Sequence, residues 1–167
     1  MELNKELTDA FNTQVTLELT AAIVYRQLSI DMQSLNLPGI AGWFKAQSAE
    51  EEEHADKFIS HMLDRDATPL LGEIHAQPKH VTTVLEAFEA ALAHEQKVSE
   101  AIRDIYRLAQ SNGDIDAYPL LNWFVDEQLE EEATVTEIIG RIKLIGDDGH
   151  GLLRLDEELG ARAGAGD

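Results

Sequence analysis

The stretch QSAEEEEHADKF, Gln47 to Phe58, decides how this chain is read. Four successive glutamates and a histidine interrupt what is otherwise one long helical pattern. Successive helical residues are rotated by about 100°, so four in a row sweep roughly 300°. At least one of these carboxylates must face whatever the helix packs against, although a charge run is ordinarily a solvated face.

Outward from this stretch, apolar positions at alternating steps of three and four trace four seams. The first runs from Leu7 through Phe11 and Tyr25 to Leu35, and the second from Ile40 through Phe44 and Phe58 to Arg65. The third runs from Val81 through Phe88 to Ala109, and the fourth from Leu121 through Phe124 to Ile145. Breaks fall at NLPG (36–39), SNGD (111–114) and GDDGHG (146–151), while ATPLLGEIHAQPKH (67–80) has little periodicity. The pattern predicts an all-α single domain over 1–167, with helices at about 4–36, 40–66, 81–111 and 115–145. Short links make two antiparallel hairpins, and the 67–80 link runs the bundle's length as one crossover. A short fifth helix is expected over about 150–160, with a frayed tail at 161–167.

Each seam is interrupted near its middle by one carboxylate: Glu18, Glu51, Glu95 and Glu131. Antiparallel packing brings all four to a similar height, and His54 follows Glu51 at three residues, on the same face. An ionised carboxylate in an apolar core is destabilising by several kcal/mol, and like neighbours add to this. Protonation relieves part of the conflict. Hard cations resolve it, because they prefer carboxylate oxygen with some imidazole. The arrangement matches in part the bundle-core dimetal pattern of a Glu from each of two helices plus Glu-x-x-His units. Only one such unit, Glu51–His54, is present; three residues after Glu131 stands Thr134. The competing reading is a purely structural bundle whose seams are off by one position, leaving these glutamates in water.

Bulk properties narrow the classes. With 167 residues and 44% hydrophobic content the chain can bury a core. Thirteen basic against 32 acidic residues, a net charge of −19, disfavours nucleic acid and anionic membranes and favours cations. No run approaches the roughly 18–20 apolar residues of a membrane span, and no basic-then-apolar leader opens the sequence. Without cysteine there is no disulfide, no thiolate nucleophile and no rubredoxin-type iron site. A cytoplasmic location is expected. His61 reads as a packed or bundle-end residue, His75, His80, His94 and His150 as surface or loop residues, and Trp43 and Trp123 as packing. Gln14, Gln47 and Gln128 also interrupt seams, and only Gln128 lies near the glutamate cluster in sequence.

The pieces LELTAAIVY (17–25), AEEEEHADKF (49–58), HEQ (94–96), NWFVDEQLEEE (122–132) and GHGLLRLDEEL (149–159) resemble the ferritins, specifically the haem-free bacterial type, across essentially the whole chain. The resemblance implies a ferritin-like bundle and an iron-storage subunit with ferroxidase activity, oxidising Fe(II) with dioxygen or peroxide. It implies one iron held by Glu18, Glu51 and His54, a second by Glu95 and Glu131, and Glu51 bridging them. It places Gln128 beside the pair and Tyr25 in a hydrogen bond near it. A third site would use Glu50, Glu127 and Glu130, with Glu131 shared. Haem is not expected, because Glu52 stands where haem-binding relatives have methionine, and Glu52 and Glu53 are expected to face outward. Self-assembly into a shell of twenty-four subunits, the fifth helix meeting at fourfold axes, is also implied. The nearer alternative is a non-storing dimetal enzyme of peroxidase or manganese-catalase type.

Overall fold

The computed structural model describes residues 3–76 and 79–163. Its elements are five α-helices, α1 (Lys5–Ser34), α2 (Pro38–Leu63), α3 (Val84–Asn112), α4 (Tyr118–Ile145) and α5 (Gly149–Ala163), with a 3₁₀ turn at Ile115–Ala117. No strand occurs among the described residues, and no helix is long and apolar enough to cross a membrane.

Local chemistry sets the helix ends. Asn4 caps α1 by accepting from Leu7 N–H at 2.9 Å. Thr83 and Glu86 form a reciprocal capping box, which starts α3 at Val84 with Thr83 itself extended, so residues 81–83 precede the helix. Gly113 ends α3 with φ of 67°, a left-handed conformation that suits glycine. Residues 115–117, expected as the start of the fourth helix, form the 3₁₀ turn instead, with Asp114 accepting from Ala117 N–H. α5 continues to Ala163, three residues into the stretch expected to fray, whereas residues 164–167 lie outside the described residues.

α1 and α2 form one antiparallel hairpin, and α3 and α4 the other. Between them, the crossover climbs alongside α1. Leu70 N–H donates to Asn12 Oδ1 and Gly72 N–H to Thr16 Oγ1, both near the foot of α1. Val81 N–H and the His80 ring meet Asp31 near its head. From residue 12 to residue 31 a helix rises about 28 Å, so the connection returns the chain to the end from which α3 descends. At the foot, Arg65 grips Asp114 through two 2.8 Å contacts, joining the end of α2 to the α3–α4 link. At the head, α5 lies across the start of α2. Asp156 accepts from Ile40 N–H at 2.8 Å, and a Cβ on Gly39 would collide with the Asp156 carbonyl.

The core has two apolar halves. One gathers Phe44, Phe88, Met32, Ile138 and Leu155 toward the α5 end, and the other Phe11, Phe58, Met62, Ile102 and Phe124 toward the opposite end. Between them lies a buried polar layer.

The second seam drifts relative to its expected course. Ser48 rather than Gln47 and Met62 rather than His61 are fully buried. Glu18, Glu51, Glu95 and Glu131 are all buried.

Candidate metal centre

The polar layer draws on all four long helices. Glu18 comes from α1, Glu51 and His54 from α2, Glu95 from α3, and Gln128 and Glu131 from α4. Each helix contributes its member from near its middle, away from both ends.

Glu18, Glu51 and His54 each offer a ligand atom within 4.8 Å of those of the others. Glu18 Oε2, Glu51 Oε2 and His54 Nδ1 have no hydrogen-bond partner, and the last two lie 3.6 Å apart. Buried polar atoms are nearly always paired, so three orphans in one place call for a positive ligand. A carboxylate–imidazole set of this kind suits a transition-metal cation such as iron.

Electrostatics point the same way. Burial raises the Glu18 carboxyl well above its ordinary range, and the Glu51 charge adds to the rise. Burial also raises Glu51 strongly, with Glu95 the largest charge acting on it. Glu131 is pushed up to about 8 by burial and then by Glu95. Without a cation this layer therefore holds protons, and a divalent ion replaces them.

Glu95 is held at both oxygens. The Tyr25 hydroxyl donates to Oε1 and Gln128 Nε2 lies 3.3 Å from Oε2. Burial raises its carboxyl despite these two bonds. Burial and the Glu95 charge likewise raise the Tyr25 hydroxyl well above its usual range. Engaged in this way, Glu95 lies beside Glu51 and Glu131 without forming with them a group as tight as the Glu18 trio.

Glu50, His54 and Glu127 form a second close group, again within 4.8 Å. Of the residues expected at a third site, Glu50 and Glu127 thus come together. Glu130 is exposed and lies outside this group, although its charge helps raise Glu127 and Glu131. Glu52 and Glu53 face solvent.

Several side chains differ from their sequence-based expectation. Gln14 donates to Glu18 Oε1 at 2.8 Å, and Gln47 to Glu50 Oε2 at 2.7 Å. Their spacings of four and three residues along one helix face were the available signal. Ser99 also belongs to the layer, on Gln128 and Glu132, and a lone serine in a seam carries no such signal. His94 is not a surface residue: it packs edge-on against Tyr25, and burial, then Lys97, lowers its ring to about 4. Trp123 is partly exposed rather than packed in the core. Its ring meets His54 edge-on at 5.6 Å and carries Lys57 Nζ 4.6 Å from its centroid. His61 is half-buried against Phe11.

Comparison with known proteins gives a consistent picture. Residues 8–145 match the model of the ferritin-like domain. The chain is 36% identical over 161 residues to the bacterial non-heme ferritin of Staphylococcus saprophyticus, covering 96% of each. It is 32% identical over 157 residues to that of Campylobacter jejuni, covering 94% of each. The open-pore ferritin of Archaeoglobus fulgidus superposes with a TM-score of 0.92 at 31% identity, over 96% of this chain and 98% of that one.

Proposed function

This chain belongs to the ferritin family, and on that premise we propose that its buried polar layer is a two-iron ferroxidase centre serving iron storage. The observation that carries the reading is the coincidence of three orphaned ligand atoms, on Glu18, Glu51 and His54, inside a core that is apolar above and below.

In this reading iron is the substrate. One ferrous ion is held by Glu18, Glu51 and His54, and a second by Glu95 and Glu131, with Glu51 shared between them. Each ion gives up one electron. Peroxide accepts both and goes to water, or dioxygen accepts both and goes to peroxide. The carboxylates favour the reaction because their charge stabilises Fe(III) more than Fe(II). Coordination also lowers the pKa of bound water, so no protein base is needed to make hydroxide. Gln14 keeps one oxygen of Glu18 occupied, so that the other is the free ligand. Tyr25 and Gln128 hold Glu95 in place, while the two apolar halves exclude bulk water.

Glu50 and Glu127, with Glu130 and Glu131 adjacent, provide a third stop for iron on its way out of the centre. Storage then requires a shell, and the reading includes self-assembly to twenty-four subunits in the cytoplasm, without haem. Exposed apolar residues such as Leu70 at 74% and Leu144 at 89% support burial against neighbouring copies.

Aerobic addition of Fe(II) to the apoprotein tests this directly. Rapid ferric absorbance in a very large particle that retains iron is the expected result. A small oligomer that consumes peroxide without retaining iron favours a non-storing dimetal enzyme, and absence of iron binding sinks both.

A further inference from the structure

The polar layer extends beyond the carboxylates through side chains that the proposed reaction does not use. Gln128 is buried, with Nε2 3.3 Å from Glu95 Oε2 and Oε1 3.2 Å from Ser99 Oγ. Ser99, one turn after Glu95 on α3 and fully buried, lies 2.5 Å from Glu132 Oε1. Glu132 is half-buried and reaches the surface, where Arg103 Nη2 stands 3.8 Å from the same oxygen. A continuous file, Arg103–Glu132–Ser99–Gln128–Glu95, thus links the protein surface to the centre.

A primary amide presents a donor at one end and an acceptor at the other, and its two flipped orientations fill the same space. Shape alone does not choose between them. Against a metal-binding carboxylate only the amino end is attractive, and the carbonyl end must then face a donor. Ser99 is the donor within reach. It has one hydroxyl hydrogen but two acceptors, Gln128 Oε1 and Glu132 Oε1. Given to Gln128, that hydrogen fixes the amino end on Glu95. Given to Glu132, it leaves a serine lone pair facing Gln128, which favours the reverse orientation and a carbonyl–carboxylate clash at Glu95.

We propose that Ser99 is a positioning residue that sets which end of the Gln128 amide faces Glu95, and that Glu132 competes for the hydroxyl hydrogen on which this depends. The inference rests on reading the layer as a two-cation centre. Ser99 touches neither cation; its effect reaches the Glu95 side of the centre only through Gln128.

The test is stepwise Co(II) titration of the assembled apoprotein, followed by visible absorption and calorimetry, with initial Fe(II) oxidation rates measured alongside. Ser99→Ala is expected to weaken the Glu95-side cation by roughly 10-fold, the lower end of the range for partners of metal ligands. It should alter that ion's absorption bands and leave the Glu18-side ion unchanged. Glu132→Ala, which frees the hydroxyl hydrogen for Gln128, should shift affinity in the opposite direction. In a Gln128→Leu background Ser99→Ala should have no further effect beyond about twofold, as expected when one residue acts only through another, whereas Glu132→Ala keeps the direct effect of its charge on Glu95. An unchanged Co(II) titration in Ser99→Ala overturns the inference, as does a full Ser99→Ala effect persisting in Gln128→Leu, which a packing role would give. Failure of the unsubstituted protein to bind two Co(II) ions per chain overturns the reading of the centre itself.

Discussion

Gln14 and Glu18 face each other across one turn of α1, the amide nitrogen 2.8 Å from Oε1, while Glu18 Oε2 meets no polar partner. The glutamine satisfies half of the carboxylate and turns the other half toward Glu51 and His54. Gln14→Leu keeps the volume and removes the donor. The first cation should bind about 10- to 100-fold more weakly, measured as Co(II) affinity, with helix content unchanged. Unaltered affinity would show that Glu18 needs no such anchor.

Glu51 is buried with its carboxyl raised, and in the proposed centre both cations share it. Glu51→Gln should slow initial Fe(II) oxidation by at least roughly 10-fold while raising the unfolding midpoint of the metal-free protein. A gain of about 1 kcal/mol corresponds to some 2–4 °C at this chain length. A slow variant with a lowered midpoint would mean that the carboxylate is structurally required.

Stability of the metal-free protein should depend on pH in a direction set by Glu131. Its carboxyl lies at about 8 in the fold against 4.5 ordinarily, so the folded state holds a proton that the unfolded chain has released. The associated stability is fully present below about 4.5 and is lost as pH rises through about 8. Glu18, Glu51 and Glu95, also raised, act in the same sense. Denaturant melts between pH 5 and 9 should therefore show falling stability, flattened by saturating Zn(II) and less steep in Glu131→Gln. A profile that rises over this range would contradict the protonated layer.

Asp31 fastens the top of the crossover by accepting from Val81 N–H, the His80 ring and Gln27. Burial works to raise its carboxyl, but the bonds from His80, Val81 and Gln27 together leave it below its ordinary value. Its stabilisation is present above about 3.8 and lost as pH falls through the folded value. Asp31→Ala leaves Val81 N–H without this acceptor and should destabilise the chain by about 1–3 kcal/mol. Equilibrium unfolding checks this, and an effect within 0.5 kcal/mol, the usual range for a surface change, would exclude a fastening role.

The contact between α2 and α5 depends on two glycines. A Cβ at Gly160 would approach Gly39 Cα to 2.9 Å, backbone that has little room to yield. Gly160→Val should therefore displace α5, uncover Leu155 and Leu159, and change the particle's mass in light scattering while leaving cation affinity within about twofold. An unchanged particle size would show that α5 can shift without consequence for assembly.

Much of the buried polar layer was legible because the helical period turns one carboxylate of each seam toward the core. Glu18, Glu51, Glu95 and Glu131 each stand between apolar positions on one helix face, and all four are buried. At two positions of the second seam the fully buried residue is the next one along, Ser48 beside Gln47 and Met62 beside His61. His94 was misplaced for a different reason. Its neighbour Glu95 occupies the seam, and nothing local reveals that Tyr25 of α1 lies close enough to shelter the adjacent ring.

Four amphipathic helices, their two short links and long return, and one carboxylate per seam at matched height can all be read along the chain. These follow from spacing along one chain, which periodicity records. Which oxygen of each carboxylate is engaged and which is free is set by side-chain packing in the folded chain. Glu18 Oε2 and Glu51 Oε2 are orphaned while both oxygens of Glu95 are held by Tyr25 and Gln128. For Glu18 the engaged oxygen is held by Gln14 on the same helix face, but for Glu95 the partners come from different helices, Tyr25 and Glu95 being 70 residues apart. Hydrogen bonds across a core are fixed by how helices pack, and no spacing rule within a single helix encodes them.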